Sequence, residues 1–449
     1  MTILGVDVGT TGMKMGVYRT SGDTLTLLRS FTCNYRIHTY NGGLFSDIEQ
    51  EKWKKAFIEG CRKLEDMLED VDSISLAGTT PGLTAMDREG NALYPAILML
   101  DQRSRVQAQY INETVGIKTL LDTTGNIPVA GGCSLASILW IKENQPEVFK
   151  KTRVFGHSNT YLACWLTGTF AIDPSSASLT ALYNTVNNDM TWNEDIARTF
   201  NLSTDQLPTL IPSHESAGLT KKSIAVELGL KKEPPVVIGG NDAVLAAYSV
   251  GITNPGDIIN VNGTCEITLV CLPRCISSRH YNVRAHIIPD RWLTLYVMNA
   301  GGKALEWFRN LFCSELHVGE YFNDFLPRAI EEWIDRESTV TYVPYLVGSR
   351  YSQEPLKGEF LGLTPKTSRE EMLSAMVRGL CEYQREHLKE MSLKVQLQPF
   401  IHITGRTVSQ AMIRAKKTWM RDCDYHYEEE SSMKGAAMLG RKYLAHSHL

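Results

Sequence analysis

Residues 3–18 read ILGVDVGTTGMKMGVY, a pattern typical of two β-strands joined by a tight turn. Apart from Asp7, positions 3–8 are apolar; small residues form the turn at 9–12, and positions 13–18 alternate out of it. Such a turn exposes backbone N–H groups, and threonine hydroxyls add donors, so that together they can cup phosphate oxygens. Asp7 adds a carboxylate suited to a magnesium ion or its waters. The alternative is a plain hairpin whose glycines serve only the turn.

The same pattern recurs in the second half of the chain. Residues 257–262 predict a strand, Gly263-Thr264 a turn, and residues 266–271 a returning strand. A strand, a Gly-Thr turn and a second strand in both halves indicate duplicated domains, although two hairpins can also match by chance. Between them, a helical pattern at 49–68 runs into a strand-like segment at 73–77, which favours an α/β fold.

The segment before Asp242 delivers a carboxylate to the end of a predicted strand. Residues 236–238 predict a buried strand, 239–242 a turn and 243–250 an apolar helix. Ligands of α/β folds bind in the crevice at such strand ends. Phosphoryl transfer needs a carboxylate that orients the acceptor hydroxyl and takes its proton, and Asp242 meets that need. The alternative is that Asp242 only caps the helix.

Length indicates two or three domains, and composition indicates no strongly charged interaction surface. A chain of 449 residues is too long for one ordinary core, and we place the domains at residues 1–245 and 246–449. The net charge of -4, with acids and bases interspersed, predicts neither nucleic acid nor a membrane as partner. We find no signal peptide and no run of 18 apolar residues, so we expect a soluble, cytoplasmic protein. The 10 cysteines are scattered and predict reduced thiols.

Together these motifs resemble the FGGY family of carbohydrate kinases, and within it the xylulokinase-like branch. Residues 5–14 resemble the family's first phosphate hairpin, and residues 239–242 resemble its catalytic strand-turn-helix segment. The other segments that match in chain order are 76–82, 95–103, 166–168, 173–178, 263–264, 299–302, 343–348, 403–409 and 430–437. The resemblance implies two similar actin/Hsp70-like (ribonuclease H-like) domains, each a mixed sheet flanked by helices. The cleft between them is expected to close on sugar and nucleotide.

The resemblance also implies the reaction and its residues. It implies ATP- and Mg²⁺-dependent phosphorylation of a small sugar, sugar acid or polyol, with Asp242 as general base, in a homodimer. The residues implied for the phosphates are Asp7, Thr10, Thr11 and Lys14, with Asp7 also at the metal. Those implied beside the nucleotide are Thr264, Gly302, Gly405 and Arg406. Those implied around the sugar are Thr80, Pro81, Asp101 and Arg103.

Four sites depart from the family's pattern. Thr80-Pro81 stands where xylulokinases usually have Met-His, and Ala243 follows the catalytic position where they have asparagine, so sugars other than xylulose are open. Arg406 lies in a loop that is normally a glycine run, where it can block adenine, stack on it or meet a phosphate. Glu266 follows the second turn where Ser-Gly is common. A carboxylate there repels triphosphate unless it points away or pairs with a cation.

These departures leave two other functions open. The first is a catalytically weak family member that senses a sugar through domain closure, which Arg406 and Glu266 motivate. The second is an ATPase of the same fold that acts on protein partners. The match of residues 239–242 to the sugar kinases disfavours this second alternative.

Overall fold

The computed structural model describes residues 1–22, 24–349, 351, 356–405, 407–429 and 431–446. The first half of the chain contains β1 Thr2–Val8, β2 Gly12–Ser21, β3 Thr24–Asn34, β4 His38–Tyr40, β5 Phe45–Ile48, α1 Glu51–Lys63, α2 Glu65–Leu68, β6 Val71–Gly78, β7 Gly82–Met86, β8 Ala92–Leu98, α3 Arg105–Val115, α4 Ile117–Thr123, α5 Ser134–Asn144, α6 Pro146–Lys151, β9 Val154–Gly156, α7 Ser158–Thr167, β10 Ala171–Ile172, α8 Pro174–Ala177, α9 Glu194–Thr199, a 3-10 turn Thr204–Gln206, β11 Thr209–Leu210, β12 Ser216–Leu219, α10 Lys222–Glu227, β13 Pro235–Asn241 and α11 Asp242–Ser249.

The second half begins again with a hairpin. It contains β14 Ile258–Asn262, β15 Glu266–Leu272, β16 Asn282–Ala285, β17 Trp292–Met298, α12 Gly302–Phe312, α13 Val318–Glu320, a π-helical turn Tyr321–Phe325, α14 Leu326–Trp333, β18 Thr341–Val343, β19 Glu359–Leu361, α15 Arg369–Ser392, β20 Phe400–Thr404, α16 Gln410–Trp419, β21 Asp424–Tyr427 and α17 Ser432–His446. Both predicted hairpins are confirmed, because β1 pairs antiparallel with β2 and β14 pairs antiparallel with β15.

Two large sheets repeat one strand order. The first is β12-β13-β6-β1-β2-β3 and the second is β16-β17-β15-β14-β20-β21. The run β3-β2-β1-β6-β13 matches β17-β15-β14-β20-β21 in order and direction, with two antiparallel pairings followed by two parallel ones. The predicted duplication is therefore confirmed. Since the parallel strands of each sheet end at one edge, β1, β6 and β13 bring their carboxyl ends together, as do β14, β20 and β21.

A smaller sheet, β4-β5-β8-β7-β9, belongs to the first half, and β10-β11 and β18-β19 form two-stranded ribbons. All 10 cysteines are free thiols. Across the described part of the chain, no helix combines the length and the apolar character that a membrane crossing needs.

The structure differs from the sequence-based expectation at two places. Residues 239–242 form no turn, because β13 continues to Asn241 and α11 begins at the next residue. Gly239 instead makes a bulge: its φ is 64°, the pairing with β6 shifts register there, and a Cβ would lie 1.6 Å from the Leu76 carbonyl oxygen. The single helix predicted at 49–68 is interrupted at Leu64, whose φ of -112° and ψ of 9° are not helical.

The two faces of the first sheet are covered by different parts of the chain. Leu4, Val6 and Val8 pack in one apolar cluster with residues of α1 and α7. On the opposite face lies α17, which contacts β1, β6 and α11, and Ile3 joins the cluster of Met433 and other α17 residues there. The last described element of the chain, Ser432–His446, thus returns to the first sheet.

Gly435 controls how closely α17 approaches α11. A Cβ at this position would lie 2.1 Å from the carbonyl oxygen of Leu245, which belongs to rigid backbone. We expect Gly435→Ala to lower the free energy of unfolding by about 1–3 kcal/mol, measured by urea denaturation, because the helices must separate. Gly319→Ala in α13 is the control, since the nearest atom there, Asn323 Nδ2, is 3.9 Å away, and we expect a change within about 0.5 kcal/mol. Equal effects of the two substitutions would contradict this account.

Candidate active site

Three strand ends and one threonine define the centre of the site. Val8 of β1 is paired with Gly78 of β6, which is paired in turn with Asn241 of β13. The N–H of Thr79 donates to the Val8 carbonyl oxygen at 2.9 Å, and its Oγ1 donates to Asp242 Oδ2 at 2.8 Å. Because adjacent strands are about 4.8 Å apart, the ends of β1 and β13 lie about 10 Å from each other. The glycine-threonine turn after β1 and the carboxylate of Asp242 therefore share one edge of the sheet.

The two carboxylate oxygens of Asp242 have different partners. Oδ1 accepts from the N–H of Ala243 and from Asn241 Nδ2, both at 2.8 Å. Oδ2 accepts only the Thr79 hydroxyl among the described contacts, and the side chain is partly exposed. Asn241 caps α11 by accepting the N–H of Val244 at 3.2 Å, so the capping role considered for Asp242 belongs to its neighbour. Asp242 keeps one oxygen able to take a further hydrogen bond.

Burial raises the pKa of Asp242 above the usual range of an aspartate. The Thr79 hydrogen bond, the positive charge of Arg284 and the bonds from Ala243 and Asn241 act in the opposite direction and lower the same pKa. The net direction is upward. A carboxylate with a raised pKa is a stronger proton acceptor near neutral pH than an exposed aspartate.

A buried serine-aspartate pair is hydrogen-bonded to the end of β13. Ser175 Oγ accepts the N–H of Asn241 at 2.9 Å and donates to the fully buried carboxylate of Asp173, which also accepts the N–H of Ser175 at 2.8 Å. Gly240 leaves room for this pair, since a Cβ there would lie 2.8 Å from Ser175 Oγ. The bulge and this support fix the direction in which Asp242 leaves the strand.

The first predicted phosphate turn stands open at the end of β1. Thr10 is half-buried, Thr11 and Lys14 are exposed, and Asp7 is buried. Asp7 and Lys14 are direct cross-strand partners of β1 and β2, so their side chains leave the same face of the sheet. The structure thus brings all four of these residues to the edge that also carries Asp242.

Tyr35 holds this turn in place and was not anticipated from the sequence. Its hydroxyl donates to the Gly9 carbonyl oxygen at 2.6 Å, and its N–H donates to the Thr11 carbonyl oxygen at 3.0 Å. Burial, helped by the negative charge of Asp7, raises the pKa of the Tyr35 hydroxyl, so it remains a donor. No local pattern marks Tyr35, because it follows the β3 strand and reaches the turn only through the β2–β3 pairing.

The second turn is joined to the start of α12. The N–H of Gly302 donates to the Gly263 carbonyl oxygen at 2.9 Å, and the N–H of Lys303 donates to the Thr264 carbonyl oxygen at 3.2 Å. A Cβ at Gly302 would lie 2.7 Å from the Gly263 oxygen, so only glycine permits this approach. Thr264 and Gly302, predicted from distant segments, are therefore neighbours.

Gly405 reaches the same place from the end of β20. Its φ is 118°, and a Cβ would lie 2.0 Å from the carbonyl oxygen of Asn262, the last residue of β14. The three predicted nucleotide residues Thr264, Gly302 and Gly405 thus converge on the end of β14. Arg406, the fourth, lies outside the described residues.

A narrow cleft, with room for little more than a water molecule, opens beside this second turn. The residues that line it are Asn262, Glu266, Gly301, Gly302, Leu305, Val377, Leu380, Cys381, Thr407, Met412 and Lys416. Glu266 is buried there, and its Oε1 accepts from Lys416 Nζ at 2.6 Å and from Asn260 Nδ2 at 3.0 Å. The carboxylate is therefore paired with a cation, and this pairing removes the repulsion of triphosphate that an unpaired carboxylate would cause. Lys416 comes from α16, 150 residues away, and no sequence signal indicated it.

The predicted sugar residues fall into two groups. Thr80 and Pro81 are buried immediately after the Thr79 bridge, and Thr80 Oγ1 accepts from Arg284 Nη1 at 2.7 Å and from Asn241 Nδ2 at 3.1 Å. β7 begins at the next residue, Gly82.

Asp101 and Arg103 form the second group and bind each other. Asp101 Oδ1 accepts the Arg103 Nε–H at 2.9 Å, and Arg103 Nη2 contacts Asp47 Oδ2 at 2.8 Å. The guanidinium is enclosed by the rings of Tyr40, Phe45, Tyr94 and Trp140. Their contacts here are with protein groups, and a direct contact with sugar stays a prediction.

Two sheets of the same strand order, each with a glycine-threonine turn between its first two strands in chain order, form the actin/Hsp70-like (ribonuclease H-like) fold. The model of the FGGY family of carbohydrate kinases, N-terminal domain, matches residues 2–249, more than half of the chain, and the chain belongs to this family. It is a carbohydrate kinase with ATP as phosphoryl donor.

Named relatives agree with this assignment. The chain is 25% identical over 445 residues to a xylulose kinase of Staphylococcus xylosus, a match that covers 97% of this chain and 90% of that protein. It is 25% identical over 389 residues to a gluconokinase of Bacillus subtilis (strain 168), which covers 84% and 74% of the two chains. The crystal structure of a xylulose kinase from Rhodospirillum rubrum has a TM-score of 0.89 at 21% identity, over 98% of this chain and 89% of that chain.

The Glu266–Lys416 pair predicts that removing one of the two charges destabilises the protein more than removing both. Lys416→Met leaves a buried carboxylate unpaired, so we expect a loss of about 3–5 kcal/mol in unfolding free energy, measured in urea. The double variant Lys416→Met with Glu266→Gln should recover most of that loss, because no charge is left buried. Lys417→Met is the control: Lys417 is 43% exposed and 3.5 Å from Asp424, so its loss should stay within about 1 kcal/mol. Failure of the double variant to recover would contradict the pairing argument.

Proposed function

We propose that this carbohydrate kinase transfers the γ-phosphoryl group of ATP to a hydroxyl of a small sugar, sugar acid or polyol bound between the two glycine-threonine turns. The observation that carries the proposal is the Thr79 bridge, which connects the end of β1 to the carboxylate of Asp242. A proton acceptor and a phosphate-binding turn on one sheet edge are what in-line transfer to a hydroxyl requires.

In this mechanism Asp242 Oδ2 accepts a hydrogen bond from the sugar hydroxyl and takes its proton as the bond to phosphorus forms. Oδ1 is committed to two protein donors, which fixes the carboxylate plane and leaves Oδ2 for the substrate. The raised pKa of Asp242, caused by burial, makes it a suitable base.

The two turns supply the phosphate and nucleotide contacts in this proposal. Backbone N–H groups of the first turn with Thr10, Thr11 and Lys14 bind the β- and γ-phosphates, since Lys14 adds a positive charge on the face that carries Asp7. The second turn, with Thr264, Gly302 and Gly405, faces the rest of the nucleotide, together with Arg406. The neutralised Glu266 leaves the neighbouring cleft without a net charge from this pair.

Asp7 fits the role of the single protein carboxylate near a nucleotide-bound magnesium ion. Such an ion takes one or two carboxylates, with phosphate oxygens and waters as its other ligands. Asp7 is buried at the end of β1, beside the open turn, and the described residues hold no group of three or more His, Cys, Asp or Glu that would form an all-protein site. When bound, the ion would neutralise charge on the transferring phosphates.

The acceptor we propose is a small sugar, sugar acid or polyol, and xylulose, ribulose and gluconate are all candidates. Thr80-Pro81 and Ala243 replace polar groups that xylulokinases usually present, and the relatives include both a xylulose kinase and a gluconokinase. Asp101 and Arg103 are proposed to shape the far side of this pocket. A cytoplasmic homodimer is proposed from the family resemblance.

The sugar-sensor alternative is tested by nucleotide binding. One of the two observations that support this alternative, the expected repulsion by Glu266, is weakened because Lys416 neutralises that carboxylate. Calorimetry with a non-hydrolysable ATP analogue in the presence of sugar should show binding. Absence of binding, with sugar bound, would favour the sensor.

Asp242→Asn tests the general base. We expect a loss of about 100- to 10,000-fold in kcat with sugar binding nearly unchanged, because the amide keeps the shape of the carboxylate and cannot take the proton. The measurement is a coupled ADP-release assay over a panel of ketoses, sugar acids and polyols, which also identifies the acceptor. Asp195→Asn, at an exposed carboxylate of α9, is the control and should leave kcat unchanged. Retained turnover in Asp242→Asn would remove the base assignment.

The pH dependence of kcat/KM follows from the direction of the Asp242 pKa. Protonation removes the acceptor, so activity should fall as pH decreases, and the fall should begin at higher pH than an ordinary aspartate would cause, because burial raises this pKa. The profile is measured with a neutral sugar or polyol, and the unfolding midpoint is followed over the same pH range to separate denaturation. Constant activity down to a pH of about 4 would contradict the prediction.

A further inference from the structure

Arg284 is a buried cation on a strand of the second sheet, and its side chain contacts the catalytic segment of the first half. It lies on the edge strand β16 and is 3% exposed. Its Nη1 donates to Thr80 Oγ1 at 2.7 Å and to the Ser175 carbonyl oxygen at 3.3 Å, while Nη2 donates to the Thr80 carbonyl oxygen at 3.1 Å. The planar guanidinium thus spans two segments of the first half with a fixed geometry.

The backbone on both sides of Arg284 is anchored to the first half as well. Asn126 Oδ1 accepts the N–H of Val283 at 2.9 Å, and Asn126 Nδ2 donates to the Val283 carbonyl oxygen at 2.8 Å. Ser178 Oγ accepts the N–H of Ala285 at 2.9 Å. These side chains satisfy the groups that an edge strand leaves unpaired, so Arg284 enters the catalytic region from a fixed position.

Two short paths connect Arg284 to the catalytic carboxylate. Thr80, which the guanidinium holds, follows directly on Thr79, the donor to Asp242 Oδ2. Asn241 Nδ2 donates both to Thr80 Oγ1 at 3.1 Å and to Asp242 Oδ1 at 2.8 Å. Both oxygens of the carboxylate are therefore oriented by groups that contact the Arg284–Thr80 pair.

We infer that Arg284 is a positioning residue for phosphoryl transfer, which holds the Thr79–Thr80 segment against Asp242 and places a fixed positive charge beside that carboxylate. The inference rests on the proposed role of Asp242 as base. It also gives a reason for Thr80 at a position where xylulokinases usually have another residue, because the threonine side chain supplies a hydroxyl oxygen that accepts from the guanidinium.

The surrounding electrostatics agree with this role. The positive charge of Arg284 lowers the pKa of Asp242 and so opposes the larger, upward effect of burial. The charged or titratable groups on the elements around Asp242 include Arg284 on β16, Asp173 before α8, His157 before α7, Asp7 on β1, Asp72 on β6, Tyr248 on α11, and Lys434, Arg441 and Lys442 on α17. Burial, assisted by the charge of Arg284, lowers the pKa of His157 to about 3, so this histidine stays neutral over the working range.

Arg284→Met tests the inference by removing the charge and the donors while keeping much of the volume. We expect kcat to fall about 10- to 100-fold and the acid limb of the kcat/KM profile to move to higher pH, with KM for ATP changed less than about threefold. Arg284→Lys keeps the positive charge and lacks the planar guanidinium with its paired N–H donors. It should therefore return the acid limb to its wild-type position and recover kcat only in part. A merely structural residue would lower activity without moving the acid limb.

Ser178→Ala is the matched control, because it removes a hydrogen bond that anchors β16 and leaves the charge in place. Its acid limb should coincide with that of the wild type. If Arg284→Met does not fold, Arg284→Gln, which keeps an amide donor and lacks the charge, must show the same displacement.

The failure of this inference is distinguishable from failure of the proposed function. An acid limb that stays in place in Arg284→Met or Arg284→Gln, while Asp242→Asn is inactive, overturns the role of Arg284 alone. Turnover by Asp242→Asn overturns the base assignment, and with it the basis of the inference.

Discussion

The hydrogen bond from Thr79 Oγ1 to Asp242 Oδ2 is the interaction on which the arrangement of the site depends. Because Thr79 also donates to Val8, one residue ties the end of β1 to the start of α11. The separation between the glycine-threonine turn and the carboxylate is thereby set by the spacing of sheet strands, which is among the least deformable distances in a protein. The bulge at Gly239 and the Ser175–Asp173 support then determine the direction of the carboxylate.

The two halves use the same strand order with different charge arrangements. In the first, a partly exposed carboxylate stands at the strand edge with one oxygen available. In the second, the glycine-threonine turn is followed by a buried carboxylate, Glu266 at the start of β15, that Lys416 neutralises. A buried pair of this kind gains little net stability over an apolar pair, because the desolvation of both ions offsets their attraction. Its effect here is on the charge that the neighbouring cleft presents.

The sequence predicted those parts of the site that local patterns encode, namely the two hairpins and their threonines. It also located Asp242, because an apolar run followed by a polar residue marks a strand end. It misread residues 239–242 as a turn, since the bulge at Gly239 is required by a carbonyl group of Leu76 in another strand. Lys416 and Arg284 could not be predicted as site residues for the same reason. Arg284 lies 204 residues from Thr80, and local periodicity carries no information about such a contact.

Because α17 packs on the first sheet, part of one face of that sheet is covered by residues that are synthesised last among those described. The face formed by Ile3 and Gly5 on β1 receives its cover from Met433 and its neighbours, more than 400 positions later in the chain. Until α17 has been synthesised, the Ile3 and Gly5 face lacks the helix that covers it in the folded protein. Apolar sheet surface that stays exposed in this way makes an incomplete chain prone to aggregation.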